Sequence, residues 1–133
     1  EWHIVGEGSQ RTKIEKSIQE NNAGNYIFLE GEQKNPYRYI KNADYLFVPS
    51  LHEAAPMVID EAASLGVPII STDTLSAYEL VAERKIGYVG SIEKLTSLVK
   101  KALSNQVETK KIMEKYCANN DEARADFECL CND

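Results

Sequence analysis

Residues 45 to 72, YLFVPSLHEAAPMVIDEAASLGVPIIST, constrain this chain more than any other stretch. Tyr45 to Val48 form an apolar and aromatic run of strand length, and Val67 to Ile70 repeat that character after Gly66. Between them a helix is expected. Pro56 suits a first helical position, where its fixed φ is already right and its missing N–H would have had no partner. Val58, Ala62 and Leu65 then fall on one face, and Gly66 stands where a left-handed C′ residue ends a helix. The unit reads strand, loop, helix, strand, the building block of an open parallel sheet.

In such a unit the loop lies at the carboxyl edge of the sheet, where open α/β sheets bind ligands. This loop carries Glu53, and Glu61 follows about one turn inside the helix, its side chain leaning back toward the helix start. Two carboxylates therefore border one helix mouth. The mouth offers the unpaired N–H groups of Met57 and Val58 and the positive end of the helix dipole, a combination that suits phosphate. Carboxylates would repel a phosphate unless they faced hydroxyls. A ligand with a diphosphate in its middle and hydroxyl-rich rings at both ends satisfies every group, and nucleotide-sugars have that shape.

The segment PSLHEAAPMVIDEAASLGVPIISTD resembles the E-x7-E segment of retaining glycosyltransferases with GT-B architecture (family 4, glycosyl transferases group 1), with seven residues between Glu53 and Glu61. Further matches stand in register: IVGEGS near the start, FLEG at 28 to 31, NPYRYIKNAD at 35 to 44, and Glu79 followed by an apolar pair. The likeness covers residues 2 to 104. It implies the C-terminal, donor-binding domain of an enzyme that moves a sugar, with retention, from a nucleotide-sugar to a glycan or lipid-linked acceptor. On this resemblance Glu53 touches the transferred sugar and is the catalytic candidate, and Glu61 takes the ribose. Ala54, Ala55, Pro56, Met57 and Val58 border the donor diphosphate, Gly8 lines the cleft, and the loop from Gly31 through Gln33 receives the base. No metal or other cofactor is expected. The family commonly places glycine after the first glutamate, where this chain has Ala54, whose methyl narrows the approach of a sugar.

The same resemblance places an acceptor domain, and a basic pair that neutralises the leaving diphosphate, on the N-terminal side of Glu1. The chain is accordingly read as truncated there and expected to be inactive alone. Residues 1–104 are read as the nucleotide-sugar-binding Rossmann-like domain and residues 105–133 as a helical extension of it. A non-catalytic nucleotide-sugar-binding module, or an interaction domain, is the alternative reading, since fold alone decides no function.

The remaining elements agree with an α/β fold. Trp2 to Val5 read as a strand, and Gly6-Glu7-Gly8 as the turn into a helix from Ser9 to Asn21 with Ile14 and Ile18 inward. A dinucleotide fingerprint needs a third glycine where this chain has Arg11, so the turn is read as a bend. Tyr26 to Leu29 is the next strand, and Asn35 is expected to cap a short helix begun by Pro36, with Tyr37, Ile40 and Ala43 spaced for burial. After strand 67–71, Asp73 is read as a turn or capping residue before a helix near Ser76, with a place on the donor edge as the alternative. Tyr88 and Val89 form a last strand, and Ser91 caps a helix whose stripe is Leu95, Leu98, Val99, Ala102 and Leu103. Beyond Asn105 the apolar anchors are Ile112, Met113, Tyr116 and Phe127, with no obvious docking partner. Together these elements make a doubly wound, Rossmann-like parallel sheet of about five strands with helices on both faces.

Composition narrows the partners. At 133 residues and 43% hydrophobic content the chain suits one domain with a real core, and a net charge of −6 argues against nucleic acid or an anionic membrane as main partner. No apolar run approaches the roughly 20 residues of a spanning helix, so a cytoplasmic protein, at most peripheral at the inner face of the membrane, is expected. Cys117, Cys129 and Cys131 are odd in number and clustered late, which suits reduced thiols rather than a disulfide framework. His52 is read as a loop residue with an acid–base role as the alternative, and His3 as a hydrogen-bonded core residue.

Overall fold

The computed structural model describes residues 1–52, 57–118, 120 and 131. Strands and helices alternate: β1 (Trp2–Val5), α1 (Arg11–Glu20), β2 (Ile27–Gly31), α2 (Tyr37–Lys41), β3 (Leu46–Val48), α3 (Met57–Ser64), β4 (Ile69–Thr72), α4 (Leu75–Ala77), β5 (Gly87–Gly90), α5 (Leu95–Ser104) and α6 (Gln106–Ala118). The α4 turn runs on into a π-helix, Tyr78–Glu83, and a single 3-10 turn, Ile92–Lys94, precedes α5. The α/β fold with parallel strands is as expected. The single sheet is not: β1 pairs with β2, β3–β4–β5 form a second parallel sheet, and no ladder joins the two among the described residues. Trp2 instead meets Phe47 edge to face, with ring centroids 4.9 Å apart. The short β3, three residues long, leaves few ladder positions to share.

Both faces of β4 are covered, because all four of its residues are buried in succession. Ile69 joins Val48, Ile59, Ala62, Ala63, Val81, Ile86 and Met113 in the main core. On the opposite face Tyr88 pairs in register with Ile70, and its hydroxyl shares a 2.9 Å hydrogen bond with the Thr109 hydroxyl of α6. Tyr45 on the neighbouring strand donates to the Ala102 carbonyl of α5 at 2.8 Å. The docking partner of α6 is α3: Met113 is 1% exposed, and the Cys117 thiol points at the Ala63 carbonyl.

Three helices end in the same way. Gly66 has φ +76°, its N–H donates to the Ala63 carbonyl, and Val67 N–H reaches back to the Ala62 carbonyl at 2.9 Å, the paired bonds of a Schellman motif. Asn22 and Lys85 occupy the same left-handed position after α1 and the π-helix, with Ala23 bonding to Ile18 and Ile86 to Val81. Each motif is followed by a buried residue (Ala23, Val67 or Ile86) and then a strand.

Several local expectations shift. The β4 strand starts at Ile69, two residues late, because Val67 belongs to the helix ending. The α1 helix is shorter than expected, and Ile14 and Ile18 are half-buried. Thr74, not Asp73, caps α4, its hydroxyl accepting from Ala77 N–H at 3.2 Å. Pro36 occupies the N-cap position of α2, and Ala43 is exposed because the helix stops at Lys41. Ser91 makes no side-chain cap, and Leu103 is 57% exposed, since Ala102 takes the sheet-facing position. His3 is exposed rather than core, although its ring is hydrogen-bonded to Glu30 at 2.6 Å. Phe127 and Cys129 lie outside the described residues.

Candidate functional site

Strand ends at the carboxyl edge gather most of the residues singled out above. At the β1–β2 corner, Gly6 N–H donates to the Gly31 carbonyl at 2.7 Å, so the loop holding Gly8 is tied to the loop that begins at Gly31. Gly31 has φ +69°, and a Cβ there would stand 2.9 Å from the Glu7 carboxylate. Glycine meets both demands without strain, whereas any other residue there would hold an unfavourable φ and displace the Glu7 carboxylate. A Cβ on Gly8 would meet nothing within 4 Å, so this glycine faces open space. Gln33 turns its amide back onto the Glu30 carbonyl at 2.7 Å, which fixes the loop but commits one of its donors.

From that loop the chain enters α2, and its first residue reaches the central helix. The Tyr37 hydroxyl donates to Glu61 Oε1 at 3.4 Å. Both side chains are part-buried, and the phenol pKa is raised, chiefly by the carboxylate's charge and then by burial. Glu61 sits one turn into α3, as expected. At the start of that helix Met57 is 75% exposed, while Val58 packs against the core, so the two sequence neighbours divide between solvent and floor. On the outer side of the first turn Asp60 accepts from Arg84 at 2.5 Å, and this bond is the main cause of the raised guanidinium pKa. Glu53, Ala54, Ala55 and Pro56 lie outside the described residues.

A second feature at this edge was anticipated only through the alternative reading of Asp73. The ends of β3, β4 and β5 surround a shallow cleft of about 170 Å³ lined by Ser50, Thr72, Asp73, Thr74, Ser91 and Glu93, among others. Most of its polar groups are already engaged. The Thr72 hydroxyl donates to the Ser50 carbonyl, Thr74 caps α4, and backbone N–H and the Ser91 hydroxyl hold the Glu93 carboxyl below its ordinary range. The available signal was the hydroxyl-rich run Ser71-Thr72-Asp73-Thr74 at the end of a buried strand. Such residues also make turns, so the run pointed to no site by itself. Asp73, on the cleft wall, and His52, just after β3, are both exposed. Among the described residues no three His, Cys, Asp or Glu side chains converge as metal ligands, and no helix is long and apolar enough to cross a membrane.

Known proteins agree with this architecture. The family model described as glycosyl transferases group 1 matches residues 1–121. An uncharacterized glycosyltransferase of Methanocaldococcus jannaschii is 39% identical over 70 residues, covering 53% of this chain and 17% of the relative. A lipopolysaccharide 1,6-galactosyltransferase of Salmonella typhimurium is 35% identical over 82 residues, covering 57% of this chain and 23% of the relative. This chain therefore spans a minor part of the curated proteins it matches. Among solved structures, an S. aureus TarM variant in complex with Fondaparinux, α-GlcNAc-glycerol and UDP superposes with a TM-score of 0.78 at 22% identity, covering 98% of this chain and 29% of that one.

Proposed function

The chain belongs to the glycosyl transferases group 1 family, and from that premise we propose that it is the donor-binding half of a retaining hexosyltransferase-type enzyme. The enzyme transfers a sugar from a nucleotide-sugar to a glycan or lipid-linked acceptor. One observation carries the reading: Glu61 stands half-buried one turn inside α3, beside a helix mouth whose first side chain, Met57, lies open to solvent. The relative named for galactosyl transfer and the similar fold solved with UDP support it.

In this reading the N–H groups of Met57 and Val58 and the α3 dipole take the diphosphate, flanked by Ala54, Ala55 and Pro56. Glu61 accepts from the ribose hydroxyls, and the base lies on the Gly31–Gln33 loop, next to the Gly6–Gly8 turn. Glu53 then borders the transferred sugar, where a carboxylate favours the positive charge that develops at the anomeric carbon. The acceptor is held by a further, N-terminal domain, through which any contact with a membrane is peripheral. No metal is required for these roles. The chain alone is expected to show no turnover, since half of the cleft is supplied elsewhere.

Glu61→Ala in the full-length protein should weaken nucleoside diphosphate binding roughly ten- to a hundredfold by calorimetric titration, the loss of a hydrogen bond to a charged group. Glu53→Gln should instead lower kcat strongly and leave that affinity nearly intact. An unchanged affinity in the first variant would reject the ribose assignment, and a normal kcat in the second would reduce Glu53 to a helix cap.

A further inference from the structure

We propose that Tyr37 is the positioning residue for Glu61, holding one carboxylate oxygen so that the other meets the ribose of the bound nucleotide. The inference rests on the reading of Glu61 given above. It starts from a chemical asymmetry: a carboxylate only accepts, so each of its oxygens needs a donor. The Tyr37 hydroxyl supplies one to Oε1 at 3.4 Å. Oε2 is left for a donor from the ligand, and a sugar hydroxyl is such a donor.

Location strengthens the case. Tyr37 opens α2 after the Gly31–Gln33 loop, with Lys34, Asn35 and Pro36 between, whereas Glu61 lies on α3, 24 positions later. One hydrogen bond therefore joins the helix that follows the base-binding loop to the helix that would hold the ribose and diphosphate. The tyrosine is fixed independently of that bond. Its ring packs against the main core beside Ile40, and its own carbonyl accepts from the Cys131 thiol at 3.7 Å. Removing the hydroxyl alone thus leaves the ring in place, while Glu61 loses the contact that selects its rotamer. A phenol is already a donor throughout the neutral range at its ordinary value, and the raised pKa of Tyr37 acts in the same sense. A 3.4 Å separation is long for such a bond, and contacts of this kind shorten when the ligand completes the site.

The test uses the full-length protein and whichever of UDP, GDP and ADP binds best, together with its 2′-deoxy and 3′-deoxy analogues, titrated calorimetrically. Tyr37→Phe should reduce the preference for the ribonucleotide over the deoxy analogues about three- to tenfold, with the melting temperature nearly unchanged. In a Glu61→Ala background the same change should have no further effect. A preference unaltered by Tyr37→Phe, where Glu61→Ala abolishes it, overturns the inference and leaves the Glu61 reading standing. An equal loss from Tyr37→Phe with and without Glu61 also overturns it, because the tyrosine then acts by another route. Full affinity in Glu61→Ala, or no binding of any of the three nucleotides, removes the parent reading and the inference together.

Discussion

The β3–β4–β5 half and the β1–β2 half of this chain are built to different standards of burial. In the first, a strand buried on both faces lies beneath α3, and α6 closes over that helix with Met113 almost fully enclosed. In the second, α1 has no fully buried residue, and both strands are at most half-buried. What joins β1 to β2, besides their ladder, is a surface arrangement in which His3 binds Glu30 at 2.6 Å, stacks on Phe28 and lies near Tyr39. The difference matters because the two halves carry different parts of the carboxyl edge. Glu61 and the α3 mouth stand on the enclosed half, while the Gly8 and Gly31 loops stand on the open one.

If burial sets this contrast, mutations should rank accordingly. Ile69→Ala, at a fully buried β4 position, should cost about 2–5 kcal/mol in urea unfolding, and Ile27→Ala on half-buried β2 under about 2 kcal/mol. Equal costs would erase the distinction. Next comes Gly87→Ala, whose new Cβ would fall 1.9 Å from the Ile69 carbonyl oxygen, so β4 and β5 must separate. A loss of about 1–3 kcal/mol is expected there, against a near-neutral Gly24→Ala, where nothing lies within 4 Å.

Smaller effects sharpen the comparison at the surface. Asp60→Ala removes a pair with Arg84 whose side chains are 56% and 37% exposed, and screening should hold its cost below about 1 kcal/mol. The smallest effect concerns Glu30, whose carboxyl is pulled below its ordinary value chiefly by its hydrogen bond to His3. A depressed carboxylate stabilises the fold above its unfolded value, and that contribution fades as pH falls through the folded one. The melting-temperature gap between the native protein and Glu30→Gln should therefore be open at pH 7 and close on acidification below about pH 4, the ordinary carboxylate range. A gap that persists in acid would mean that Glu30 acts through packing.

How much of this was legible beforehand depended on whether one residue type could do the job alone. Gly66 announced its helix ending because glycine adopts a left-handed φ without strain, and Asn22 carries a weaker form of that signal, whereas Lys85 makes the same turn with a side chain that gives none. The apolar stripe of α5 was visible, but periodicity does not say how wide a face the sheet covers, and Leu103 fell outside it. Strand pairing is likewise not local, so five strands could be counted without seeing that they form two sheets. At the edge, Glu61 stood out by its place one turn inside the expected helix, while Gly31 was singled out only by the family resemblance. Tyr37 was read as core, correctly for its ring, and its hydroxyl's partner became visible only when α2 and α3 were brought together.

The seat of α3 on α6 also orders events during synthesis. Cys117 meets Ala63 across 54 positions of sequence, and Met113 enters the same core. Until α6 has emerged from the ribosome, the apolar cover over the helix that carries Glu61 is incomplete, even though β3, α3 and β4 are already made. Such non-local closure is slow relative to local pairing, and in the interval the side of α3 that α6 will cover is exposed to solvent. The nascent chain would then be most open to a chaperone, or to a wrong partner, while residues 57–64 are waiting for residues 106–118.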